Sequence, residues 1–557
     1  MMNKSLIFLA ALVLISASSV KDERIQYLNI MKKELKRSMN GLKLKGFESP
    51  YFISYRIFDE TTNYIKATSG AVVSKTIDWR RSNLYLELRV GDYQFDNTAV
   101  INKKSNSISF SNYYNAAAPL EPDERALRNK LWLLTDKAYR KSLSGFYKKK
   151  GQKVFESENK SLPAFYRAKP EQFVSPVKTL SFKASRIEAL VKELSKKLSE
   201  KTAVIQSSVV YDAEKYHNII VNSEGTEIVE TSVLYSISFD AEARADDGML
   251  VRNSRIFYAR EASEIPSVNE LRKKAEIFIE DLIALKNAPV MDPFVGPAIL
   301  MPEATGVLFH EALGHRLEGE RQINDDEGRT FNNHLGKKVI PSFLHLVDDP
   351  TSPRFDKTSL NGFYRYDDEG VKSQRAVLVE NGILKGFLLS RTPVPGMNQS
   401  NGHGRGSVFH KPRGRMAVTM VKSDKSVKFD RLKEMLLDEV KKQKKPYGLL
   451  FKDIAGGSTN TSSYRYQAFK GVPLMAYRVY PDGREELVRG IEMVGTPLAA
   501  INKIVMAADE SRVFNGYCGA ESGTILVSAV APAILTTELE LQRAGKSSER
   551  KPILPKP

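Results

Sequence analysis

The sequence predicts an α+β fold in which antiparallel sheets and helices occupy separate stretches of the chain. Three observations lead there. Runs rich in β-branched and aromatic residues follow one another directly, as in YFISYRIF, YIKATSGAVVSKTID and NLYLELRV. Helical stretches come in blocks of their own, which argues against a regular βαβ winding. Three prolines in APVMDPFVGP, Ala288–Pro297, then break the pattern and divide the chain. The division gives an N-terminal α+β domain, 20–288, and a C-terminal domain, 289–557.

Ile25 to Leu44 reads as a basic amphipathic helix with Ile25, Leu28, Met31, Leu35 and Met39 on its apolar face. Tyr51 to about Val90 is strand. Pro122 to Lys150 is a long helix, opening on Pro-Asp-Glu as helix N-termini do. Ala184 to Ser199 is a further helix. Strands return in TAVIQSSVVYD, HNIIVNSEG, EIVETSVLYSISFDAEA and VRNSRIFYA, and Val268 to Lys286 is again helical. Beyond the proline cluster, ENG at Glu380–Gly382 and PDG at Pro481–Gly483 mark tight turns between strands.

With 557 residues, 42% hydrophobic and 27% charged, the composition is that of a folded globular chain of two to four domains. Its start is different. Lys4, the apolar run Leu6–Ile15 and the small-residue stretch SASS form a secretory signal over residues 1–19, with cleavage expected near Ser18–Val20. The run is about half the roughly 20 residues that a membrane-crossing helix needs. The expectation is an exported protein, periplasmic or secreted, with no integral membrane segment after signal removal. A net charge of +18 favours anionic surfaces, but the basic residues are spread along helical stretches such as MKKELKR and EVKKQKK. No zinc finger, RNA-recognition signature or basic zipper is present, so no specific nucleic-acid partner is expected. Cys518 is the single cysteine, which rules out a disulfide within the chain. A lone thiol in an oxidising compartment is expected to be buried, paired between chains, or coordinated.

The stretch that carries chemistry is GVLFHEALGHRLEGE, Gly306–Glu320. Familiar zinc proteases place two histidines four apart on a helix, with a glutamate between them as general base. Four residues turn a helix by about 400°, which brings both rings to one face. Here His310 and His315 are five apart, about 500° of regular helix, so their rings would point about 140° apart. If both bind one metal, the helix must be widened by a π-type turn between them, an irregularity that favours functional sites and that Gly314 permits. Otherwise the two histidines are unrelated residues on opposite faces.

HEALGHRLEGE, taken with VLVENGILKGF, SNGHGR at Ser400–Arg405 and GYCGAESG at Gly516–Gly523, resembles the TldD/PmbA family of metalloproteases. The likeness runs from about Pro289 to the late 530s. It implies a Zn2+ site with His310, His315 and Cys518 as ligands and Glu311 as the catalytic carboxylate. Two imidazoles and a thiolate leave a fourth tetrahedral position open, the pattern of a catalytic zinc. The resemblance further implies a two-lobed subunit that forms a homodimer or a heterodimer with a related subunit, and that hydrolyses peptides or unfolded segments. Some family members lack the histidines and serve as partner subunits without metal, so a non-catalytic, peptide-binding subunit is the alternative. This chain keeps both histidines. Its export signal and its length depart from the family pattern.

Several residues stay open to two readings. Cys518 could be a buried apolar filler or a nucleophile instead of a ligand. Glu318, three residues after His315, could be an alternative ligand or stand behind the ligands. In the family the SNGHGR region lies near the peptide cleft, so His403 and Arg405 are candidates for substrate binding, although a plain turn fits equally. Asp367, Asp368 and Glu369 are expected to be a solvated acidic loop, and His334, His345 and His410 to be ordinary residues.

Overall fold

A computed structural model describes residues 22–98, 100–102, 107–109, 112–153, 162–323, 327–465, 467–545 and 554. The expected signal, 1–19, lies outside the described residues. Two large sheets organise the chain, with helices packed against each, and the class is α+β as the pattern predicts.

Among the described residues the first sheet has seven strands. Its centre is Ala71–Val90, Pro50–Thr68, Val204–Asn222 and Glu227–Arg244, joined antiparallel in that order. Helix Glu23–Gly41 starts behind Asp22, whose side chain accepts from the Arg24 amide. With helix Glu124–Lys153 it buries Tyr27, Met31, Leu131 and Tyr139 against Tyr55, Ile57 and Leu86 of the sheet. Helices Ala184–Ser199 and Val268–Asn287 cover the same sheet further along, through Val191, Leu194, Leu271 and Phe278. Ser267 and Glu270 form a reciprocal cap at the start of the latter. Strand Leu250–Ala259 pairs on one side only, with Glu227–Arg244, so it forms an edge of the described sheet.

Among the described residues the second sheet has twelve strands and is mixed, which corrects the expectation of antiparallel sheets. Phe294–Leu300 runs parallel to Gly448–Thr459, and Val418–Ser423 parallel to Gly523–Arg543. Parallel neighbours need a long crossover, and the helices and loops between these strands supply it. The predicted turns hold. Asn381 and Gly382 take φ of 51° and 73°, the Asn-Gly geometry of a two-residue hairpin closing Glu380 onto Ile383. Gly483, φ 87°, ends the Pro-Asp-Gly turn.

Helix Pro302–Ala312 sits inside this half of the molecule, with Pro302 in its first turn and every residue but Glu303 buried. A helix covered on all sides belongs in a core, and this one packs on Gly523–Arg543. Gly306 makes the approach possible, since a Cβ there would lie 2.9 Å from that of Ala529. Helix Phe429–Lys442 packs Leu432, Leu436 and Val440 on Ile299, Leu450 and Leu535. No described helix is long and apolar enough to cross a membrane.

Candidate metal centre

His310 lies in the last turn of helix Pro302–Ala312, and His315 follows in a short 3-10 turn, Gly314–Leu317. Between them the chain leaves α geometry at Leu313, with φ −121° and ψ −48°. The expected π-type turn is therefore not what resolves the five-residue spacing. The helix stops, and the tighter turn that follows redirects His315. Arg316 holds this ending together by donating to the carbonyls of Glu311 at 3.0 Å and Ala312 at 3.3 Å. Gly314 contributes by its size, because a Cβ there would strike the Met416 sulfur at 2.0 Å.

The two rings lie 5.0 Å apart and nearly perpendicular. Cys518 comes from far along the chain, on strand Ile504–Ala520, and points its thiol at both. His310 Nε2 is 3.1 Å from Cys518 Sγ, and His315 Nε2 is 3.4 Å from it. Nitrogen and sulfur ligands of a tetrahedral zinc stand roughly 3.5 Å apart, given Zn–N of about 2.0–2.1 Å and Zn–S of about 2.3 Å. The donor atoms and their separations fit zinc.

Around this trio the charges are ordered. Glu318 accepts at 3.1 Å from His315 Nδ1, the ring nitrogen facing away from the thiol, and is itself held by Arg321 at 2.8 Å and Arg415 at 3.1 Å. It orients His315 and is not part of the donor set. Burial disfavours its charge, yet Arg321 and His315 outweigh that and hold it well below the usual carboxylate range. Burial also opposes charge on Cys518, but His310 and His315 pull the thiol far below its ordinary pKa. For His315, burial is outweighed by Glu318 and then by Cys518, which push it up to about 10. His310 is likewise raised, chiefly by Cys518 acting against burial. Glu311 is raised mainly by its burial. Its Oε2 lies 3.9 Å from His315 Nε2, beside the trio and too far for a direct hydrogen bond. Gly457 leaves room for it, as a Cβ there would come within 2.6 Å of Glu311 Cγ.

His310 and Glu311 open onto a cleft of about 820 Å3. One wall is the helix with Gly456 and Gly457, another is Phe514–Tyr517, and the edge strand contributes Ser254–Tyr258.

Three expectations need correction. His403 is fully buried, with Nδ1 at 2.9 Å from Asn401 Oδ1 and Nε2 at 3.2 Å from Asp348, so it has no surface to offer a substrate. Arg405 does face a cavity, a different one of about 480 Å3. Asp367 and Glu369 are buried instead of solvated, because backbone amides of Glu369, Val371 and Gly404 satisfy Asp367 and the Arg391 amide binds Glu369. Reading the sequence also missed Arg415, which donates to Cys518 Sγ at 3.2 Å and to its carbonyl at 2.9 Å. One arginine among the basic residues of KPRGRM gives no signal of that role.

Residues 295–543 match the model of the PmbA/TldA metallopeptidase C-terminal domain. That part of the chain is a TldD/PmbA-family domain. A metalloprotease of Methanocaldococcus jannaschii is 31% identical over 230 residues, 41% of this chain and 47% of that protein. A zinc metalloprotease TldD homolog of Saccharolobus solfataricus is 26% identical over 345 residues, 60% of this chain and 70% of that one. The match thus spans about half the length of the Methanocaldococcus relative. The fold of TldE from Thermococcus kodakarensis overlays 93% of this chain and all of its own with a TM-score of 0.58 at 15% identity, so the likeness of fold extends through both sheets.

Proposed function

We propose that the protein is a zinc-dependent metallopeptidase hydrolysing peptides or unfolded segments, with 289–557 as its catalytic domain. The observation that carries this is the convergence of His310, His315 and Cys518 beside Glu311 on the wall of an open cleft. Zinc held by those three residues would supply Lewis acidity toward a peptide carbonyl and toward water. Glu318 fixes the His315 ring so that Nε2 is offered to the metal. Glu311, its pKa raised by burial, takes the proton from the attacking water and hands it to the departing amine. Strand Leu250–Ala259 lies along the cleft with one edge unpaired among the described strands, so an extended peptide could add to it through main-chain hydrogen bonds. Such binding reads backbone more than sequence and admits unfolded chains. Export, two lobes, and pairing with an identical or related subunit belong to the same reading.

Two measurements test it. Zinc content should be close to one per chain in the wild type and in Glu311→Gln, and near zero in Cys518→Ser. Peptide hydrolysis should fall by about 10²–10⁴-fold in Glu311→Gln, the usual contribution of a general base. Equal hydrolysis by wild type and Glu311→Gln would take the proton transfer away from Glu311, and hydrolysis by neither would transfer the chain to the non-catalytic, peptide-binding class.

A further inference from the structure

The cavity that Arg405 lines adjoins the cleft. Tyr517 and Ser359 form part of both walls, and Tyr517 immediately precedes Cys518. Across the same hairpin, Thr524–Leu526 line the cavity, with Ile525 paired to Cys518. A chain lying in the cleft therefore has a second chamber within a residue or two of the metal centre.

The charges lining this chamber do not balance. Its five carboxylates are engaged: Glu60 with Arg81, Glu230 with Arg365, Asp368 with Arg56, Asp367 with three backbone amides, and Glu261 with the Glu264 amide in a helix cap. Arg260 and Arg405 have no carboxylate within ion-pair distance among the described residues, although Glu230 is near enough to Arg260 to offset part of the effect of burial. Arg260 donates to the carbonyls of Asn361 and Phe363, and its Nε is buried without a hydrogen-bond partner in the protein. Arg405 donates to the Met416 carbonyl and lies over the Tyr364 ring at 4.8 Å. Burial, reinforced by the nearby Arg405, pulls Arg260 down to about 10, so the two cations feel each other in a poorly solvated space. Buried charges normally occur in pairs. A planar guanidinium is matched in shape and charge by a carboxylate. Phe58, Tyr85 and Phe363 provide apolar wall beside the arginines, which suits the body of an amino-acid residue better than a bare inorganic anion.

We infer that this chamber is a substrate subsite for a carboxylate-bearing residue of the bound peptide, with its carboxylate seated between Arg260 and Arg405. The substrate class rests on the peptidase reading above, but the binding does not require hydrolysis. The carboxylate could be a free C-terminus or an acidic side chain. Three fluorescent peptides separate these cases: one with Gln and a C-terminal amide, one with Glu and the amide, and one with Gln and a free C-terminus.

Their affinities are measured by anisotropy on the zinc-loaded Glu311→Gln protein, which holds peptide without consuming it. One of the two carboxylate peptides should bind at least tenfold more tightly than the neutral one, and which one identifies the source. Arg260→Gln with Arg405→Gln should reduce that preference below twofold and leave the neutral peptide unchanged. Arg405→Gln alone, which gives up a single hydrogen bond to a carbonyl, should reduce it at least threefold and serves if the double variant does not fold. Equal affinity for all three peptides, or a preference that survives Arg405→Gln, overturns the inference. A preference for the carboxylate in a wild type that hydrolyses nothing upholds the subsite and removes the peptidase reading.

Discussion

His315 and His403 are both buried, and each has a ring nitrogen close to a carboxylate, Glu318 at 3.1 Å and Asp348 at 3.2 Å. They differ in what lies on the other side of the ring. His403 turns its second nitrogen to the Asn401 carbonyl and amide oxygens, while Asp348 also accepts from the amides of Ala417 and Val418 and from the Thr419 hydroxyl. Donors and acceptors there match, and the pair is closed. At His315 the second nitrogen meets the Cys518 sulfur and shares it with His310. Two imidazole nitrogens and a thiolate are all lone-pair donors, so their convergence is stable only around a cation, whether metal or proton. A histidine beside a carboxylate says little by itself. An excess of lone pairs aimed at one point, on the wall of a cleft, is what marks a site.

The widest separation between these histidines should appear on removing each ring. His315→Ala takes away a ligand and should reduce zinc content to background, with hydrolysis falling to the level of metal-stripped wild type. Retained zinc in that variant would mean the three donors do not act as a set. His403→Ala should leave zinc content unchanged and cost stability instead. It removes one partner from a fully buried pair and leaves Asp348 with a polar contact missing, a loss of about 1–3 kcal/mol by the usual cost of an unmade buried hydrogen bond. Denaturant unfolding measures it. If His403→Ala lowered zinc binding as much as His315→Ala does, the contrast would fail.

The same contrast explains which parts could be read from sequence. Helix Ala184–Ser199 was legible to the residue, because its apolar spacing alone decides it. The Asn381–Gly382 turn was legible because few other residue pairs take positive φ at both positions. HEALGH specified that two rings five apart must converge if they bind one ion, but not how the backbone manages it. A π-type turn and a break followed by a 3-10 turn satisfy that requirement equally, and local spacing does not choose between them; nor does it show that Met416, about a hundred residues away, leaves no room for a side chain at Gly314. SNGHGR looked like a substrate contact through His403 and Arg405. Gly402, at φ 71°, instead lets the chain's own Lys372 carbonyl approach to where a Cβ would stand. Asp367 and Glu369 looked solvated because the Gly404 and Arg391 amides that bind them lie 37 and 22 residues further along. Asp368 meets Arg56, 312 residues away. Buried charge is decided by such distant partners, which local pattern cannot show.

The smallest effect, and the one that addresses the lone-pair argument most directly, is the pH dependence of stability after zinc is removed. The folded-state pKa of His315 is raised from the ordinary value of about 6.5 to about 10. Its contribution is therefore complete below pH 6.5 and is lost as pH rises toward 10. Cys518 is shifted the opposite way, held far below the unfolded value of about 8.5, so its contribution is complete above 8.5 and is lost as pH falls. Between about pH 6.5 and 8.5 the unfolded chain keeps its proton on the thiol and the folded chain keeps it on the imidazole. For this pair the proton counts are equal and the two slopes cancel. His310, also raised, holds more proton in the folded chain above pH 6.5 and adds a decline of its own. The metal-free protein should thus lose unfolding free energy less steeply from about pH 6.5 to 8.5 than from 8.5 upward. Cys518→Ser should remove the rise on the acid side and steepen the fall between 6.5 and 8.5. A metal-free wild type that falls as steeply in that window as Cys518→Ser does would show that the thiol and imidazole do not share a proton, and that the three donors stand together for some reason other than charge.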